Sequence, residues 1–73
     1  MTIPNWTALP RGSERARTGR YEADVWPVGG GWRWSVLDTY TGAYVAGGQE
    51  LTAQRARDGA WQLAYNSEED TTT

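Results

Sequence analysis

Two carboxylates, Glu22 and Asp24, have the type and spacing that come closest to an acid–base pair. They alternate with apolar residues, so a strand places both side chains on one face, about 7 Å apart. A paired-carboxylate mechanism also needs a cleft and groups that hold a substrate. A flat sheet of three strands, which is what the sequence predicts, supplies neither, and we expect no enzyme activity.

The residue types exclude several further chemistries. The 73 residues contain no Cys and no His, which removes thiolate sites, disulfides, and the commonest zinc ligand and general base. Gly29-Gly30-Gly31 is not a phosphate loop, because neither a Lys-Ser/Thr pair nor a helix N-terminus follows it. We therefore predict no cofactor and no metal.

A surface of aromatic, apolar and guanidinium side chains is the stronger candidate for function. The strand register predicted below brings four such residues to one face of the sheet. They are Trp26, Arg33, Leu37 and Tyr44. Aromatic residues and Arg are enriched in protein interfaces. The alternative is a local cation–π pair of Trp26 and Arg33, worth about 0.5–1 kcal/mol, with Trp6 and Leu9 folded over the rest.

A second predicted partner-binding stripe lies on a C-terminal helix, where Arg57, Trp61 and Tyr65 recur at intervals of four residues. Residues four apart share one face of a helix. Trp61 and Tyr65 are interpreted either as the edge of the core or as the seam of a homodimer, in which two helices pack across a two-fold axis.

All seven basic residues are Arg, and the net charge of −2 argues against general affinity for nucleic acid. Four of the seven lie in residues 11–20, opposed there by Glu14 alone. They are Arg11, Arg15, Arg17 and Arg20. This segment is interpreted as solvated, and the alternative is an arm that binds nucleic acid.

Three segments alternate between apolar and polar residues, which predicts strands at residues 20–27, 32–38 and 43–46. A one-residue slip would move every side chain of a strand to the other face, so a shared apolar face fixes the register. In the first hairpin, Val25 must pair with Trp34, and residues 28–31 form the loop.

The same argument in the second hairpin pairs Val36 with Val45 and leaves residues 39–42 as the loop. Gly42 suits the left-handed position of that loop. Gly47-Gly48 is predicted to end the third strand.

A helix follows, with Thr52 as the predicted N-cap, Leu51 as a possible staple against Ala56, and Asn66 at its end. Its apolar stripe consists of Ala53, Ala56, Ala60, Leu63 and Ala64. Gly59 costs about 1 kcal/mol relative to Ala inside a helix, and we interpret it as the mark of a close contact with an indole.

The predicted fold is α+β: a three-stranded antiparallel β-meander packed on one C-terminal α-helix (β-β-β-α), over residues 20–66. Residues 1–19 are predicted as an irregular N-terminal arm and residues 67–73 as a disordered acidic tail. No apolar run reaches the ~18 residues of a membrane span, and the N-terminus does not resemble a signal peptide. The expected location is cytoplasmic, without membrane contact.

The layout resembles small bacterial and phage proteins of unassigned function that combine a W-x-W-x-V strand with an Ala-rich helix. The matching pieces are Trp32-Arg33-Trp34-Ser35-Val36, Gly42, Val45-Ala46-Gly47, and Ala53, Ala56 and Ala60. They cover residues 20–65, and the resemblance implies a fold and no catalytic site. The all-Arg, Trp-rich composition resembles that of an actinobacterium or one of its phages.

We therefore expect a small non-enzymatic module that binds another protein or itself as a homodimer. For a phage-type protein, the partner is expected to be a host factor whose activity it modifies. The alternative is a single-stranded nucleic-acid-binding protein that uses Trp26, Arg33 and Tyr44 with the Arg-rich arm.

Overall fold

The computed structural model describes the backbone of residues 4–72 and the side chains of residues 4–70. The elements are β1 (Thr7–Ala8), a 3-10 turn (Pro10–Gly12), β2 (Glu14–Thr18), β3 (Tyr21–Val28), β4 (Gly31–Asp38), β5 (Ala43–Glu50) and α1 (Ala53–Thr72). The strands form one antiparallel sheet in the order β1-β2-β3-β4-β5. The α+β class is confirmed, but the predicted three-stranded meander is wrong, because the sheet has five strands.

β1 and β2 lie in the segment predicted to be an irregular arm, of which residues 1–3 are outside the described residues. Ala16 pairs with Ala23 and Thr18 with Tyr21, so β2 extends the sheet beyond β3. Gly19 takes a φ of 58° in the two-residue loop that joins these strands, a conformation that glycine adopts without strain. Glu and Ala have low strand propensity, and burial of Ala16 and Thr18 compensates for it.

The β3–β4 hairpin has the predicted register, with Val25 opposite Trp34. Its loop is shorter than predicted, because Val28 and Gly31 are themselves paired and only Gly29 and Gly30 remain between the strands.

The β4–β5 hairpin keeps the predicted loop of residues 39–42, with Gly42 at a φ of 76°. A bulge then changes the register between Val36 and Leu37, so Val36 pairs with Ala46 rather than with Val45. β5 also continues through Gly47-Gly48 to Glu50, where the sequence predicted its end. The glycines stay in the strand because Trp34 of β4 occupies the space beside Gly48.

α1 begins as predicted, since the backbone N–H of Arg55 donates to Thr52 Oγ1 at 3.2 Å. Leu51 is 74% exposed and forms no staple. The helix runs to Thr72, six residues beyond the predicted end at Asn66. Glu68, in the segment predicted to be a disordered tail, accepts a hydrogen bond from the Thr18 hydroxyl of β2. Residue 73 of that segment lies outside the described residues.

The core lies between the sheet and α1. It consists of Tyr21, Ala23, Val25, Val36, Ala56, Ala60 and Ala64, with Trp6, Trp32, Trp34 and Leu63 packed against it. The helix alanines bring the backbone of α1 close to the sheet, and a Cβ on Gly59 would lie 3.4 Å from the Trp34 indole nitrogen. The predicted contact between Gly59 and an indole is confirmed. Within residues 4–72, no helix has the length and apolar character needed to cross a bilayer.

Candidate protein-interaction face

α1 covers one face of the sheet, and the other face carries the four sheet residues that the sequence predicted for binding. We call this second surface the open face. Across the central strands, cross-strand pairing orders it into three rows. The rows are Trp26, Arg33 and Gln49; then Arg15, Asp24, Ser35 and Gly47; then Arg17, Glu22, Leu37 and Tyr44. Strand parity places these side chains opposite the core.

Trp26 separates two hollows of the open face. The first has a volume of about 360 Å³ and is lined by Trp26, Arg33, Trp34, Gly47, Gly48 and Gln49. The second, of about 230 Å³, is lined by Leu9, Ser13, Arg15, Asp24, Trp26, Ser35 and Tyr44. Both hollows exist because small residues, Ser35 and Gly47, occupy the centre of the face. An aromatic wall beside an unfilled hollow is the form that a binding pocket takes in protein interfaces.

The N-terminal segment divides between the two faces. Trp6 packs against the core on the helix side, while Leu9 lines the hollow next to Trp26 and Tyr44. The alternative in which both residues cover the open face is therefore not what the structure shows. Tyr44 stays 68% exposed, and the loop of residues 9–13 only borders this surface.

Arg15 neutralises the two carboxylates of the open face. Its Nε lies 2.7 Å from Asp24 Oδ1 and 3.3 Å from Glu22 Oε1, and the hydrogen bond to Asp24 raises the pKa of the guanidinium. Arg17 donates to Thr39 Oγ1 at 3.1 Å. Among the described residues, Arg33 is exposed and has neither a hydrogen bond nor an ion pair.

The charge of the open face therefore differs in sign from that of the chain. Three guanidinium groups, on Arg15, Arg17 and Arg33, stand against the carboxylates of Glu22 and Asp24, which leaves +1 on a chain of −2. Because the other charges of this face have partners, an approaching anion would meet the guanidinium of Arg33.

Arg20, rather than Arg33, makes the cation–π contacts of the described residues. Its guanidinium carbon lies 4.9 Å from the ring centre of Tyr40 and 5.5 Å from that of Tyr21. It also pairs with Asp38 through two hydrogen bonds. This pairing holds the pKa of the Asp38 carboxyl below its ordinary value and raises that of Arg20. The cluster ties the β2–β3 loop to the β4–β5 hairpin.

The four arginines predicted as a possible arm do not form one surface. Arg15 and Arg17 belong to the open face, and Arg20 belongs to the ion pair at the hairpin end. Arg11 lies in the 3-10 turn with a φ of 66°. The four guanidinium groups are close in sequence, but one strand and two turns place them on different parts of the molecule.

The predicted helix stripe makes contacts within the chain. Arg57 donates from Nη2 to Glu14 Oε2 at 2.9 Å, with both side chains about three-quarters buried. That hydrogen bond raises the pKa of Arg57, and a hydrogen bond to Glu69 raises the pKa of Tyr65. Trp61 is half-buried between them. The Arg57–Glu14 pair and the bond from Thr18 to Glu68 anchor α1 along β2.

No protein family, no curated protein and no solved structure matches this chain. Function is therefore inferred from the geometry of this chain alone.

The sequence missed one exposed region, at the end of the β4–β5 hairpin. Tyr40 is 77% exposed, and Val45, at the bulge and next to Tyr44 in β5, is 48% exposed. Val45 was predicted to face the core, and the extra residue of the bulge removes it from that position. Within residues 4–70, no three acidic side chains cluster closely enough to hold a metal ion.

Proposed function

We propose that this chain is a small non-enzymatic module that binds another protein through its open face. The observation that carries the proposal is the pair of hollows on either side of Trp26, on a sheet face that α1 does not cover. Residues that anchor protein interfaces are most often aromatic residues and Arg, and they sit beside pockets that exclude water. Trp26, Tyr44 and Arg33 supply these residue types.

The carboxylates of the open face support binding rather than catalysis. Arg15 holds both Glu22 and Asp24 in ion pairs, and the hollows are shallow depressions on a sheet. A general acid or base needs a substrate held within hydrogen-bond reach in a site that excludes water. The arrangement instead offers a broad surface with several shallow recesses, which suits a protein partner.

A bacterial host protein is the class of partner that the resemblance to phage proteins implies. The test starts with the immobilised full chain and lysates of actinobacteria, followed by purification of the captured protein and measurement of its Kd. Trp26→Ala and Tyr44→Ala should each weaken binding by roughly 30-fold, the effect of losing an interface anchor of about 2 kcal/mol. Leu51→Ala is the matched control for Tyr44→Ala, since Leu51 is about as exposed as Tyr44 but lies outside the open face.

Circular dichroism and thermal unfolding of each variant check that the fold is intact. Wild-type affinity in both Trp26→Ala and Tyr44→Ala would refute the proposal. Binding of a single-stranded oligonucleotide by the wild-type chain, weakening steeply with salt, would refute it in favour of nucleic-acid recognition. A dimer whose formation requires Trp26 would assign the open face to self-association.

A further inference from the structure

β5 is a long edge strand with little protection against pairing. Within residues 4–72 it has β4 on one side and no strand on the other, over the eight residues Ala43–Glu50. Proteins usually blunt such edges with short strands, Lys, Pro or inward-pointing charges. The opposite edge of this sheet follows the rule, since β1 has two residues. β5 contains no Lys and no Pro, its only charged residue is Glu50, and the bulge at Val45 is its one irregularity.

The part of β5 beyond the bulge is regular. Ala46 to Glu50 pair in sequence with Val36 to Trp32 of β4. The free side of these residues presents alternate backbone N–H and C=O groups to any strand that approaches. Added strands of this kind gain affinity from backbone hydrogen bonds and specificity from pockets for alternate side chains.

A pocket of that kind lies beside the edge. Gly47 has no side chain on the open face, and the hollow of about 360 Å³ lies between it and Trp26. A Cβ on Gly48 would instead meet the Trp34 indole on the helix face, at 2.7 Å. The empty space is thus confined to the open face, where a side chain of an added strand could lean over Gly47 onto Trp26.

The guanidinium of Arg33 favours a negatively charged strand at the free side of β5. It lies on β4, directly opposite Gln49 of β5, with its guanidinium exposed and unpaired among the described residues. Neighbouring strands are about 4.8 Å apart, so a strand added to β5 runs roughly 10 Å from the Cα of Arg33. An arginine and a carboxylate side chain together span this distance beside Gln49, and the neighbouring position on β5, Gly47, has no side chain.

We infer that β5 accepts an extended acidic segment of a partner protein as a sixth strand, with a carboxylate paired to Arg33 and an apolar side chain against Trp26. The inference rests on the proposed function, because it names the part of the partner that the open face receives. Charge complementarity selects the occupant, since the open face carries a net positive charge and one guanidinium without an internal partner.

A second copy of this chain fits less well. Glu50, the only carboxylate of β5, pairs with Trp32 and therefore lies on the helix face of the sheet. Two copies that join their β5 edges with both helices on one side would bring no carboxylate to Arg33. A separate chain with an acidic, extended segment can form backbone hydrogen bonds with β5 and also bring a carboxylate to Arg33.

The test is a selection of random twelve-residue peptides on the full chain, followed by synthesis of the enriched sequences. We expect alternating β-branched or aromatic residues with at least one Asp or Glu. Each synthetic peptide is then prepared in two forms, N-methylated at odd or at even positions. Only alternate amides of an added strand face its neighbour, so one form should lose binding at least tenfold while the other retains it.

The charge is tested with Arg33→Gln, which should weaken the same peptides by roughly tenfold, as expected for a lost charge-assisted hydrogen bond. Arg55→Gln is the matched control, because Arg55 is exposed on α1 and its guanidinium makes no contact among the described residues. Replacement of the peptide carboxylate by the amide should remove the difference between wild type and Arg33→Gln.

Three results would overturn the inference: enrichment of basic peptides, equal binding of both N-methylated forms, or unchanged affinity in Arg33→Gln. Protection of β5 amides from hydrogen exchange in a concentration-dependent dimer would assign the edge to a second copy and also overturn it. If these results appear while Trp26→Ala still weakens binding of the captured protein, the proposed function stands and only the strand addition fails.

Discussion

Replacing Gly48 by Ala should destabilise the protein, although the same change in a strand usually does the opposite. Glycine costs a strand about 0.5–1 kcal/mol relative to alanine through backbone entropy, so an unhindered Gly→Ala exchange stabilises. At Gly48 the structure predicts the opposite effect, a loss of stability. A Cβ there would lie 2.7 Å from Nε1 of Trp34 and 2.8 Å from its Cε2 and Cζ2.

The Trp34 ring has little freedom to move away from that Cβ. Gly48 and Gly59 lie close to the same edge of the indole, one from β5 and one from α1. The indole Nε1 is buried without a hydrogen-bond partner among the described residues, so packing alone holds the ring in place. Inserting a methyl group into a packed core costs about 1–3 kcal/mol. Subtraction of the entropic gain leaves a net loss of about 1 kcal/mol for Gly48→Ala at the middle of both ranges.

Gly59→Ala is the matched control at the other glycine beside the indole. The nearest atom to a Cβ at Gly59 is Trp34 Nε1 at 3.4 Å, an ordinary van der Waals distance. Alanine also gains up to about 1 kcal/mol of helix propensity at an interior helical position. We therefore expect Gly59→Ala to be neutral or stabilising, so the two variants should move the free energy of unfolding in opposite directions.

Urea unfolding followed by far-UV circular dichroism measures both variants without depending on tryptophan emission, which the mutations themselves perturb. A change of 1 kcal/mol corresponds to a shift of about 4–8 °C in Tm for a domain of this size. Gly48→Ala as stable as wild type or more stable would refute the reasoning, because it would mean that Trp34 does not face Gly48. The register of β5 beyond the bulge would then be incorrect.

Two ion pairs give further predictions. A double-mutant cycle on Arg57→Gln and Glu14→Gln should show a coupling of about 0.5–1 kcal/mol in urea unfolding, the range for partly exposed pairs; additivity of the two single changes would contradict the contact. Because Arg20 lowers the pKa of Asp38, this pair should contribute stability above the ordinary carboxyl pKa near 3.9 and lose it as pH falls through the folded-state value. The Tm difference between wild type and Asp38→Asn should therefore shrink below about pH 4, and a pH-independent difference would count against it.

The face on which each central residue lies could be predicted from the sequence, because strand parity determines it. Val25 and Trp34 had to share a face, and their pairing is the one the structure shows. The same parity placed Trp26 and Arg33 opposite the core. These assignments do not depend on how many strands the sheet has, so they hold although the predicted strand count was wrong.

β2 could not be predicted from propensity. Its sequence is Glu-Arg-Ala-Arg-Thr, in which Glu and Ala are depleted in strands and Thr18 is the one residue that favours a strand. The strand forms because Ala16 and Thr18 are buried beneath α1, and because Arg15 finds two carboxylates on β3. Both causes are tertiary. One local signal was present: Thr18 and Tyr21 flank a two-residue loop that begins with glycine, a hairpin pattern.

The bulge at Val45 was missed for a different reason. Parity alone allows Val36 to pair with Val45, and an extra residue in one strand leaves no trace in an apolar–polar pattern. Packing volume does not decide between the two registers either. The unshifted register would place Gly47 opposite Trp34 and the observed one places Gly48 there, so the indole has a neighbour without a side chain in both. The glycines predicted to end the strand are therefore what allows it to continue.

The added strand β2 also changes what the open face can bind. On a three-stranded sheet, Glu22 and Asp24 would stand unpaired next to Trp26 and repel any acidic partner. β2 places Arg15 within ion-pair distance of both carboxylates, so the charge that remains to select a ligand is that of Arg33. The preference for an acidic strand at β5 thus depends on a strand at the other side of the sheet, which neutralises β3 without touching the proposed binding edge.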